Sequence, residues 1–246
     1  MVKQSRDVTI LLTRPAAQSL RFARDIKQAL GDVPIVISPL MAPHYLTPPI
    51  PPDDYAAVIL VSVAGAEAAK RISAAGGMLP VLAYCVGNRT AEAARMAGFQ
   101  TLSADGDATD LLAMIIAQNP AGKLLFLRGQ DSSGNISENL HLAGLETISA
   151  VVYHQIAQPL MPQAAHLLSQ SKPVIVPLLS SRTAKLFQAE IARISVKAPL
   201  WVAALSPEIA AVVDAKTAMR LQIARHSDSA SMISVLQDLV LAGGAS

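Results

Sequence analysis

The sequence predicts an α/β protein built from two copies of one parallel-sheet unit, on three observations. Short runs rich in Val, Ile and Leu alternate with amphipathic stretches along the whole chain, which is the rhythm of strands joined by helices. Three landmarks recur about half a chain apart, since Arg14 and Arg128, Ser62 and Ser180, and Gly87 and Ser206 are separated by 114, 118 and 119 residues. Prolines crowd two places, near residues 39–54 and 157–162, and interrupt both copies.

Each element follows from local pattern. Val8 to Thr13 is an apolar strand, and Pro15 opens a helix, where its missing N–H costs nothing, that runs to about Leu30 and stops at Gly31. Val33 to Ser38 is the next strand. Pro39, Pro43, Pro48, Pro49, Pro51 and Pro52 then predict a linker without regular structure. Strands follow at Ala57 to Val61, Val81 to Cys85, Phe99 to Leu102, Lys123 to Leu127 and Thr147 to Tyr153, with a helix in each gap. After the break at Gln158 to Pro162, strands are expected at Val174 to Leu179, Leu200 to Ala204 and Arg220 to Ala224, and a last helix from Ser229. Within the repeat, TILLTRP near the start matches KLLFLRG in the middle, a strand ending in Arg and a turn residue. Splitting both copies at the proline breaks makes one domain from residues 1–38 plus 160–246 and an inserted one from 42–156.

Composition excludes several classes. With 52% hydrophobic and 15% charged residues the chain has a core to bury, and its apolar runs are far shorter than the roughly 20 residues of a membrane span. The polar start, Met1 to Asp7, has no apolar segment of the secretory kind, and the single Cys85 can form no internal disulfide; both predict a soluble protein of the cytoplasm. A net charge of +2, no Lys/Arg cluster and only nine aromatic residues of the Phe, Tyr and Trp types argue against nucleic acid as a partner.

Ligands of parallel sheets bind at the carboxyl ends of strands, where helix N-termini present unpaired N–H groups and positive partial charge. Arg14, Ser62, Gly87, Arg128 with Gly129, Ser180 with Ser181, and Ser206 all fall at such an edge. Two facing edges would form a groove for a small polyanion; the alternative is that the serines are ordinary helix caps. Gly129 to Gly134 has the spacing of a phosphate loop, but Asn135 and Ile136 stand where Lys and Ser/Thr are needed. His44, His141, His154, His166 and His226 lack metal-ligand spacing, so no metal site is expected. Cys85, ending an apolar strand, reads as a buried thiol, and Asp105 and Asp107 as a solvated turn. Tyr153 ends a strand just before the second break, where a phenol can donate a proton or hold a carboxylate, or simply fill the strand end.

Five segments, LLTRP, LVSVAGAEA, CVGNRTAEAARMAGF, LFLRG and AVVYHQ, occur in the order found in the uroporphyrinogen-III synthase family, which the chain resembles over nearly its whole length. The resemblance implies two flavodoxin-like parallel-sheet α/β domains joined by a two-stranded connector, the first domain discontinuous. It implies a cofactor-free cyclising lyase that converts hydroxymethylbilane, a linear tetrapyrrole with eight carboxylates, to uroporphyrinogen III with inversion of ring D and loss of water. A cytoplasmic monomer is implied, with hydroxymethylbilane synthase as a transient partner. Carried over by position, Tyr153 becomes the proton donor, while Ser62, Ala64, Gly87, Thr90, Ser180 and Ser181 join Arg14, Arg128 and Gly129 as substrate-binding positions. The sequence departs from the family at Ala64, where Asn is frequent, and at Ser206 and Ile209, which replace Gly and Thr; losing the Thr hydroxyl at 209 would remove a ligand from the groove. Those departures leave a second reading, a two-lobed binding or regulatory paralogue without catalysis.

Overall fold

A computed structural model describes residues 8–131 and 135–243. The polar N-terminal stretch and the Gly134 end of the glycine spacing lie outside them. The elements run, in chain order, β1 (Thr9–Leu12), α1 (Ala16–Leu30), β2 (Ile35–Ile37), β3 (Met41–Tyr45), β4 (Tyr55–Leu60), α2 (Val63–Ala74), β5 (Leu82–Cys85), α3 (Asn88–Met96), β6 (Gln100–Ser103), α4 (Ala108–Gln118), β7 (Lys123–Gly129), α5 (Ile136–Leu142), β8 (Thr147–Ala157), α6 (Pro162–Ser169), β9 (Val174–Leu178), α7 (Ser181–Ile191), β10 (Leu200–Ala204), α8 (Pro207–Ala210), β11 (Ala218–Ile223) and α9 (Ser229–Gly243). They fall into two compact units, Met1–Ala42 with Ala157–Ser246, and Pro43–Ile156.

The discontinuous unit holds a five-stranded sheet in the order β11-β10-β9-β1-β2, with parallel pairing throughout. Read from its own first strand this is the flavodoxin-like order 2-1-3-4-5. The inserted unit holds β3-β8-β7-β4-β5-β6. Here β7 stands between β8 and β4 as β1 stands between β2 and β9, which is the placement the repeat of Arg14 with Arg128 requires. The two units are therefore the same sheet, but the strand–helix–strand piece that begins one copy ends the other.

Pleat and burial explain the strand sequences. In β9, Val174, Val176 and Leu178 enter one apolar cluster and Ile175 the opposite one; β10 divides in the same way, with Leu200, Val202 and Ala204 against Trp201 and Ala203. In β4, Val58 and Leu60 face one side and Ala57 and Ile59 the other. Both faces of each sheet are covered by helices, so the strands read as continuous apolar runs, not as alternations. Helix α1 buries Ser19, Phe22, Ile26 and Leu30, one face at helical spacing, and ends at Gly31, whose φ of 75° suits glycine. Central strand β9 contains Pro177, which has no N–H to continue a ladder, and β1 pairs with β9 only at Thr9 and Ile10.

The proline-rich segment departs from its expected irregularity at β3. Pro43 lies inside that strand, and the strand is the edge of the six-stranded sheet, where a missing donor leaves no partner unsatisfied. Leu46 N–H donates to Val152 O (2.8 Å) and Gln158 N–H to Leu40 O (2.9 Å), so β3 and β8 run in opposite directions. That register sets Tyr45 across from Tyr153 and His44 across from His154, whose ring centroids are 5.0 Å apart. Among the described residues no helix is long and apolar enough to cross a membrane.

Candidate active site

In the inserted unit the residues singled out from the sequence lie where strands β4, β5 and β7 end and, for Tyr153, within β8. Ser62 follows β4 and caps α2, its Oγ accepting the Gly65 N–H at 3.0 Å. Gly87 follows β5 and caps α3 through its backbone alone. Arg128 and Gly129 end β7; the Arg128 guanidinium folds back to donate to Gly129 O (3.2 Å) and Gln130 O (3.4 Å). Tyr153 does not end its strand as expected: β8 continues four residues past it to Ala157, and its phenol oxygen is 3.0 Å from Ser62 Oγ.

An irregularity in the sheet makes that contact. Pairing runs Leu127 with Ala150 and Arg128 with Val151, then jumps to Gly129 with Tyr153, so β8 carries one extra residue. Ala150 and Val152 both face the apolar cluster under α2 and α3, and strict alternation would send residue 153 to the other face. The extra residue restores Tyr153 to the cluster side, where its ring lies over Gly129. A Cβ on Gly129 would sit 2.6 Å from Tyr153 Cζ and 2.8 Å from its phenol oxygen. Gly129 is thus the floor under the ring, a role sequence reading did not find; only the glycine hinted at a close approach.

Tyr45 was also missed. It packs against the same cluster across from Tyr153, with the Arg71 guanidinium 4.3 Å from its ring centroid and Glu67 bonded to Arg71 at 3.1 Å. Burial first, and then the Glu67 carboxylate, hold the Tyr45 phenol above the ordinary tyrosine range. A strand hidden among prolines gave no signal for this phenol.

Two other positions face inward. Thr90, in the first turn of α3, is only 5% exposed, and Ile209, at the matching place in α8, is 6% exposed and belongs to the apolar cluster of its unit. Ile209 therefore fills core volume in its unit, at the place where Thr90 is buried in the other. Ala64 is half-buried in the first turn of α2. Cys85 is buried, and burial pushes its thiol up to about 11. Asp107 is more than a turn residue: with Asp110 it forms a capping box at α4.

The discontinuous unit has its own carboxyl edge. Arg14 follows β1 in a turn held by Ser19 Oγ, which donates to Arg14 O at 2.8 Å. The guanidinium is half-buried, burial lowers its pKa, and among the described residues no carboxylate pairs with it. The preceding residue, Thr13, has a buried Oγ1 without a hydrogen-bond partner among the described residues. Ser180 caps α7, accepting the Thr183 N–H at 3.2 Å and donating to Thr183 Oγ1 at 2.9 Å, and Ser181 begins the helix. Ser206 caps α8. A partly desolvated guanidinium is a setting for an anion. No group of three or more metal-ligating side chains occurs among the described residues.

A model of the uroporphyrinogen-III synthase HemD family matches residues 26–234. The crystal structure of uroporphyrinogen-III synthetase from Helicobacter pylori is similar at a TM-score of 0.55 and 15% identity, covering 94% of this chain and 99% of that one. A mutant uroporphyrinogen III synthase from the extremely thermophilic bacterium Thermus thermophilus is similar at a TM-score of 0.45 and 13% identity, covering 96% of this chain and 99% of that one. No curated protein sequence matches.

Proposed function

The chain belongs to the uroporphyrinogen-III synthase HemD family, cyclising lyases of tetrapyrrole biosynthesis, and from that premise we propose that Tyr153 is the proton donor for the reaction it carries out on hydroxymethylbilane. The family match over residues 26–234 is the observation that carries the activity. The position of the phenol carries the assignment of Tyr153.

The reaction asks little covalent chemistry of the protein. Loss of the substrate's hydroxyl as water leaves an azafulvene, the substituted carbon of ring D attacks it, and the resulting spiro intermediate fragments and recloses with that ring inverted. Electron push comes from the pyrroles themselves. The protein has to protonate the departing hydroxyl and hold the chain so that direct closure to the type I isomer loses. Tyr153 supplies a proton within reach of a strand edge. The Arg14 guanidinium, which no carboxylate among the described residues pairs with, and the capped helix starts at Ser180 and Ser181 are suited to substrate carboxylates, as are Gly87 and the turn at Arg128. Action in the cytoplasm as a monomer is part of the same proposal.

Incubating the purified protein with hydroxymethylbilane and separating the product isomers tests the reading. The type III isomer in excess over the type I product of spontaneous closure is expected. Type I alone, at the uncatalysed rate, would favour the non-catalytic paralogue.

A further inference from the structure

Ser62 Oγ carries one proton and two lone pairs, and one lone pair is committed to the Gly65 N–H at 3.0 Å. Its neighbour at 3.0 Å is the Tyr153 phenol, and either hydroxyl can donate to the other. The two directions differ in consequence. If the phenol donates to Ser62, its proton is spent inside the protein; if Ser62 donates to the phenol oxygen, the phenol proton points elsewhere. Gly129, lacking a Cβ under the ring, leaves room for the phenol to lie where Ser62 reaches it. Ser62 also caps a twelve-residue helix, so the positive end of α2 faces the same oxygen.

We infer that Ser62 is a positioning residue for Tyr153, and not a substrate contact: its hydroxyl donates to the phenol oxygen, frees the phenol proton for the departing hydroxyl, and receives the phenolate that results. This rests on Tyr153 being the proton donor. The step balances without a further reactant. The Tyr153 O–H bond breaks as the proton passes to the leaving oxygen, water departs, and the phenolate accepts the Ser62 hydrogen bond. After the spiro intermediate fragments, the unsubstituted carbon of ring D closes the macrocycle, and the proton it loses as that ring regains aromaticity returns to the phenolate.

Kinetics of Ser62 variants test the inference. Ser62→Gly removes the hydroxyl yet leaves a residue that caps helices nearly as well, which keeps α2 intact. It should lower kcat by about 10²-fold, the low end for losing a donor to developing negative charge, with KM within about twofold. Ser62→Thr, which keeps a hydroxyl, should restore most of the loss. In a Tyr153→Phe background Ser62→Gly should cost nothing more, because the oxygen it serves is gone. A raised KM with unchanged kcat, or a full additional loss in the Phe background, overturns the inference and makes Ser62 a substrate contact. Wild-type turnover in Tyr153→Phe alone overturns the proton-donor reading first, so the two failures are told apart.

Discussion

Substituting Gly129 by Ala adds one methyl group beneath the Tyr153 ring, where the new carbon would lie 2.6 Å from Cζ and 2.8 Å from both Cε2 and the phenol oxygen. Carbon atoms in good contact sit at about 3.5–4.0 Å, so the ring has to retreat by roughly 1 Å. The strand is poorly placed to yield: Gln130 N–H donates to Tyr153 O at 2.9 Å, and β8 is paired along β7. Gly129 itself is not among the residues with positive φ, so alanine meets no backbone strain there. The displacement therefore falls on the Tyr153 side chain, and a hydrogen bond to Ser62 that starts at 3.0 Å is carried past about 3.5 Å, where it no longer counts as one. A misplacement of that size near reacting atoms costs up to about 10²-fold in rate, so Gly129→Ala should lower kcat by at least about tenfold with a modest change in KM. The assay is the initial rate of type III formation from hydroxymethylbilane, with thermal unfolding to confirm that the variant is folded. In a Tyr153→Phe background the same alanine should have little further effect. Wild-type kcat in folded Gly129→Ala would refute the reasoning, since it would mean that the geometry of the ring over the glycine does not matter to the chemistry.

Tyr153→Phe should reduce kcat by roughly 10²-fold or more while KM and thermal stability change little, as steady-state kinetics and calorimetry would report; near-normal turnover excludes the phenol as the acid. Cys85, with its thiol pushed up to about 11 by burial, should resist iodoacetamide at pH 8 in the native protein and react once in denaturant, and mass spectrometry of the alkylated protein counts the adducts. Asp107 is held below the usual carboxylate range by backbone hydrogen bonds at the start of α4, first from Asp110 and then from Thr109. Its contribution is therefore complete above the unfolded-state value and is lost as pH falls through the lower folded-state value. Asp107→Ala should lower the thermal midpoint at neutral pH, with the difference from wild type closing as the pH drops below about 4. A difference that stays constant down to pH 2 would assign the effect to something other than the carboxylate.

Composition and pattern alone determined the class of the molecule and the positions of most elements, because those depend on short-range physics. Runs such as Val174 to Leu178 are apolar on both sides since helices cover both faces of a parallel sheet, and Pro15 and Gly31 bracket α1 through backbone preferences that any fold would respect. The recurrence of Arg14 at Arg128 was legible for the same reason: each ends a strand occupying the same place in its sheet. Tertiary structure decided the rest. Six prolines within residues 39–52 hid β3, since whether Pro43 is tolerated depends on the strand being an edge, a property of the sheet and not of the segment. Ile209 reads as a departure from the family, and only the fold shows that its side chain packs into the core of its unit. Tyr153 stood out in the sequence, but its alignment with Ser62 and Gly129 comes from one extra residue in β8, which moves a side chain from one face of the sheet to the other. No local pattern encodes that shift. A strand's pleat fixes only which residues share a face within an unbroken ladder, and the ladder breaks where β7 and β8 meet around the glycine.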